Sequence, residues 1–153
     1  VTMPSELGRL VASSWATLGP TARPIFVRVF FARLFALGPE LELHACKRGE
    51  RSFDRLCELF ELHFTGLIDS LGVLQLEDDP TVSLSNHQAR LLGELLLPPA
   101  KQNAHAPAYF AEALFFALDR AKLLSDDRTR AAWTAFHREF APAFADELEK
   151  ETP

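Results

Sequence analysis

An all-α fold is predicted by three features of the sequence. Residues 53–76 carry Phe53, Leu56, Phe60, His63, Leu67 and Leu71 at three- and four-residue steps, a spacing that stacks side chains along one face of a helix. Nowhere do apolar and polar residues alternate for long enough to make a strand. Glycine and proline punctuate the chain at Gly19-Pro20, Gly38-Pro39 and Pro98-Pro99, where helices stop. Together these predict six main helices and one or two short ones. With 153 residues the chain is expected to form a single domain over 1–153, large enough to bury a core without disulfide or metal staples.

Taken in order, Ser5 is placed to cap a first helix whose apolar positions are Leu7, Leu10, Val11, Trp15 and Leu18. Thr21 is placed to cap a second helix through Leu37, apolar nearly all round and therefore buried against several neighbours. Pro39 opens a short helix, and Lys47-Arg48-Gly49-Glu50 reads as a solvated loop. The central helix starts after Ser52. Leu59 and Leu62 are expected to widen its apolar stripe, while Asp54, Arg55, Glu58, Glu61 and Asp69 face water. A shorter helix is predicted from about Ser83 to Leu96, with His87 at the edge of its leucine face. Pro107 starts the next, carrying Phe110, Leu114 and Ala117. Ser125 is expected to cap the last, whose stripe is Trp133, Phe136, Phe140, Phe144 and Leu148. Pro142 falls inside that stripe and predicts a kink or an early end.

Composition narrows the function. Charged residues make up 24% and hydrophobic ones 48%, an ordinary globular balance, and no apolar run is long enough to cross a membrane. A net charge of −5 without a basic cluster argues against nucleic acid or an anionic membrane as partner. The first ten residues lack a signal-peptide pattern, so a cytoplasmic location is expected. There is no phosphate loop, His-Glu-x-x-His, Cys-x-x-Cys or Gly-x-Ser-x-Gly, so nothing marks the chain as an enzyme.

One group of residues points further. Ser14-Trp15, Phe31-Ala32-Arg33-Leu34-Phe35, Gly38-Pro39-Glu40-Leu41, Leu91-Leu92-Gly93 and Arg130-Ala131-Ala132-Trp133-Thr134-Ala135-Phe136 together give an arrangement that resembles a globin over essentially the whole chain. The last of these is similar to the final helix of neuroglobin-like and bacterial globins. The resemblance implies haem b held between two helices, with a diatomic gas as ligand. By similarity to cytoglobin-like chains it places His63 at the distal position, and implies a pocket of Phe31, Leu56, Phe60, Leu67, Leu96 and Phe110 around it.

The sequence departs from that family at two haem contacts. Leu96 stands where the ligating proximal histidine is expected, and Ala45 where a phenylalanine stacks on the haem edge. Several accounts stay open. His87 would serve as the second iron ligand if its helix slides, or if the central helix takes a register with Leu56 distal. His105 is the alternative to His87, and His63, with or without His44, is another. The expected function is a globin-fold haem protein of non-standard ligation, suited to O2, NO or CO binding or to redox sensing rather than oxygen storage. The other reading is a haem-free module acting through protein contacts, as a homodimer or with another protein. Cys46 and Cys57 flank the basic loop as a cysteine pair does in neuroglobin. The resemblance implies a disulfide, whereas a reducing compartment implies two thiols.

Overall fold

The computed structural model describes residues 2–73, 81–83, 86–96 and 105–150. Helix dominates: α1 (Ser5–Ala16), α2 (Ala22–Leu37), α3 (Pro39–Ala45), α4 (Phe53–Val73), α5 (Asn86–Leu96), α6 (Ala106–Arg120) and α7 (Asp127–Lys150), with one 3-10 turn at Lys47–Gly49. The only strands among the described residues are β1 (Thr2–Pro4) and β2 (Thr81–Ser83), an antiparallel pair with Met3 opposite Val82. That ribbon was not expected, because three residues are too few for a period to show. It also moves the start of α5 from the predicted Ser83 to Asn86. The predicted end of the central helix at Leu76, the break at 77–80 and Pro98-Pro99 lie outside the described residues.

Helices α1 and α7 pack together, as do α2 and α6, α4 and α5, and α5 and α7, while α1 and α2 both lie against α4. An aromatic column runs through the middle. Phe30 stacks on Phe60 at 4.7 Å, Phe60 on Phe64 at 5.1 Å, and Phe64 on Trp133 at 6.3 Å. Trp15 and Phe110 meet this column edge-on, at Phe64 and Phe30. Each such pair adds roughly 0.5–1.5 kcal/mol beyond the area it buries.

The central helix departs from its predicted stripe at three positions. Leu56, Phe60 and Leu67 are fully buried, and so is Phe64, which the stripe omitted. Leu62 is 65% exposed and does not widen the stripe. At about 100° per residue Leu62 lies almost opposite Phe60, whereas His63 lies only about 60° to one side of it. His63 therefore flanks the core, half-buried, instead of standing in it.

Three predicted helix boundaries also change. Thr21 has helical dihedrals and makes no side-chain cap; the N–H groups of Ala22 and Arg23 bond instead to the Gly19 carbonyl at 3.0 and 3.1 Å. The cap of α7 is Asp126, whose carboxylate accepts the Arg128 N–H at 2.8 Å and the Thr129 hydroxyl at 2.7 Å. Ser125 turns back to the Lys122 carbonyl. Pro142 does not end α7, which continues to Lys150, because losing one bond does not outweigh the rest of a 24-residue helix.

Candidate functional site

A cavity of about 680 Å³ lies between the end of α3, the corner after it, α4 and α5. Its volume is in the range of small-molecule sites. Each wall follows from local sequence. Pro39 starts α3 and Glu40 and Glu42 sit in its first turn, where carboxylates suit the positive end of a helix. Leu41 and Ala45 face the core, which leaves Leu43 and His44 on the cavity.

The chain then turns through a left-handed corner. Lys47 and Arg48 have φ of 49° and 54°, followed by Gly49 at 94°. Left-handed backbone costs a non-glycine residue roughly 1–2 kcal/mol, so the corner must be held by its bonds. Gly49 and Arg51 donate their N–H groups to the Cys46 carbonyl at 3.0 and 2.9 Å. The Arg51 guanidinium donates to the Ala45 carbonyl at 2.8 Å, satisfying an acceptor at the end of α3. Ser52 then caps α4 by accepting the Arg55 N–H at 3.1 Å.

Lys47, Arg48, Glu50 and Arg51 line the cavity beside Leu59 and His63, one turn apart on α4. Leu91, Glu94 and Leu95 close it from α5. His44 is half-buried, and its Nε2 is buried with no hydrogen-bond partner among the described residues. Buried polar atoms are normally satisfied, and this nitrogen is an exception.

Of the residues expected to contact a cofactor, the cavity brings in His63 and, from the alternatives, His44. Phe31, Leu56, Phe60, Leu67, Leu96 and Phe110 are fully buried and lie in the core behind the cavity, none of them on its lining. They point inward because they occupy the centres of their helix stripes, and a cavity at the rim is lined by the flanks. His87 is exposed on α5, one turn before Leu91, and is not on the lining either. His105 lies at the start of α6 with its ring 6.0 Å from Tyr109, away from the cavity. His137 is half-buried against Phe110 and Phe115, and burial holds its pKa below the ordinary value. Cys46 and Cys57 are free and buried. Desolvation raises both thiols, Cys57 to about 11.

Sequence reading named His44 only as a companion to His63 and missed Lys47, Arg48 and Arg51. The signal available for them was three cations within five residues around Gly49, which reads equally well as a solvated turn.

Among the described residues no group of three or more His, Cys, Asp or Glu side chains is placed to hold a bare metal ion. Haem asks for less: one or two axial ligands, apolar faces and cations for its carboxylates. The imidazoles of His44 and His63, the leucines of α4 and α5, and Lys47 and Arg48 fit those needs. The α5 wall does not add a ligating nitrogen, since its lining residues are Leu91, Glu94 and Leu95.

These features define an all-α domain with a cationic, leucine-walled cleft carrying two histidines. Compared with protein-family models, curated proteins and solved structures, the chain matches none. No described helix is long and apolar enough to cross a membrane.

Proposed function

We propose that the domain is a globin-type haem protein of non-standard ligation, suited to diatomic gas binding or redox sensing. The observation that carries this reading is an open cavity of about 680 Å³ with His63 on its wall. A domain working through protein contacts alone would have Phe and Leu side chains filling that space. The pairing of α1 with α7, α2 with α6 and α4 with α5, with the short α3 leading to the cavity, supports a globin-like arrangement.

In this reading His63 and His44 are the residues that would meet the iron, Leu59, Leu91 and Leu95 the apolar faces, and Lys47 and Arg48 the partners of the carboxylates. Bound haem would supply an iron centre that takes a gas ligand or an electron. With no imidazole on the α5 lining, both candidate nitrogens come from α3 and α4. That departs from a ligand shared across two facing helices and favours sensing over storage.

Absorbance spectra with added haemin, oxidised and reduced, test the proposal. A stoichiometric Soret band with split visible bands on reduction is expected, and His63→Ala should shift the spectrum and weaken binding. A spectrum identical to free haemin overturns the haem reading. An unchanged complex in His63→Ala overturns the role of His63. The α5 wall, which offers no ligating nitrogen, favours the second reading, a haem-free module with protein or homodimer partners, and the first of those outcomes would leave it standing.

A further inference from the structure

The cavity has a charge pattern that a metal bond does not explain. The chain carries a net charge of −5, yet three of its cations, Lys47, Arg48 and Arg51, gather on one rim. Four arginines elsewhere are neutralised: Arg28 by Asp54, Arg33 by Glu112, Arg55 by Glu58, and Arg128 by Glu6. Among the described residues no carboxylate forms an ion pair with Lys47 or Arg48, although Glu50 and Glu94 share the lining. Arg51 is committed to the Ala45 carbonyl. The left-handed corner thus presents two unneutralised cations on a backbone fixed by its own hydrogen bonds.

Below this rim the surface is hydrocarbon, from Leu43, Leu59, Leu91 and Leu95. The buried Nε2 of His44 adds a further group that lacks a protein partner; in the Nε2–H tautomer it donates to an oxygen. A carboxylate accepts such donors strongly, and a guanidinium matches its two oxygens. The rest of a suitable ligand must be apolar and large enough for a cavity of about 680 Å³.

We infer that this cavity binds an amphipathic carboxylate, its acid group held at Lys47 and Arg48 and its hydrocarbon against the leucines, whether or not a metal is present. The inference rests on the reading that the cavity is a ligand site, but not on iron. Two sources share this chemistry, a flat porphyrin acid and a long-chain fatty acid.

The test uses the whole chain with three probes: metal-free protoporphyrin IX, its dimethyl ester, and palmitate as a competitor. Binding is read by porphyrin fluorescence at two salt concentrations. Lys47→Asn with Arg48→Asn removes both charges while keeping residues that tolerate left-handed backbone, so the corner should persist, as circular dichroism would check. The free acid should bind, the ester should bind at least about tenfold more weakly, and the double variant should lose about tenfold for the acid and little for the ester. Displacement by palmitate assigns the fatty-acid source; binding of the porphyrin without displacement assigns the flat acid. Equal binding of acid and ester, no effect of the double variant, or no binding of either acid overturns the inference. Haemin showing no ligand spectrum while metal-free porphyrin or palmitate binds would remove the haem reading alone. A His63-dependent haemin complex with acid and ester equivalent would remove this inference alone.

Discussion

Trp133 donates its indole N–H to the Ser14 hydroxyl at 2.8 Å, and that hydroxyl donates to the Val11 carbonyl at 3.0 Å. Both tryptophans fasten helices in this way, for Trp15 donates its own N–H to the Thr65 hydroxyl of α4 at 3.3 Å. Trp133 is fully buried, so its polar atom has no access to bulk water. Ser14→Ala should leave the indole N–H unpaired and cost about 1–3 kcal/mol. For a chain of this size that lowers Tm by about 2–4 °C for each kcal/mol. Thermal denaturation checks this, and an unchanged Tm would mean the bond contributes nothing net.

His137 makes stability depend on pH. Its pKa is held below the ordinary 6.5 by burial beside Phe110 and Phe115. The unfolded chain therefore takes up a proton more readily than the folded one as pH falls through about 6.5. The stabilising contribution of the neutral ring is present above that pH and is lost below it. Urea denaturation at pH 7.5 and 5.5 should give a lower midpoint in acid, and His137→Leu should narrow the difference. An equal difference in the variant would assign the acid sensitivity to other groups.

Cys57 should be chemically quiet in the folded protein. Desolvation raises its thiol to about 11, and only the thiolate reacts with an alkylating agent. At pH 8 the native protein should be alkylated at Cys57 roughly two orders of magnitude more slowly than the protein in urea. Mass spectrometry of timed iodoacetamide reactions reads this directly. Comparable rates in the two conditions would contradict the burial of this side chain.

Much of the architecture is legible in local periodicity. Trp15, Phe30, Leu56, Phe60, Phe110, Trp133 and Phe136 are all buried, as their places at stripe centres imply. The stripe edges are less legible. Phe64 and Leu62 are both apolar and only two residues apart, yet one is fully buried and the other 65% exposed. Which flank meets a neighbour depends on where α1, α2 and α5 sit around α4. Helix caps were read one residue wrong at Asp126, since Ser125 and Asp126 are both good caps by type and the turn geometry chooses between them.

The helices, their order and the aromatic core follow from local sequence, because helix period and burial of large apolar side chains are local properties that packing only ratifies. The candidate cofactor contacts on the apolar faces of α2, α4, α5 and α6, Phe31, Leu56, Phe60, Leu67, Leu96 and Phe110, are drawn into the core and away from the cavity. Only the tertiary structure decided the site. It joins His44 and the Lys47–Arg48 corner to His63 on α4 and Leu91 on α5, residues whose meeting depends on a left-handed turn and on the packing of helices far apart in the chain. A corner of three positive φ values has no period, and a half-buried flank looks in sequence like any surface, so the cavity becomes visible only once the helices are packed.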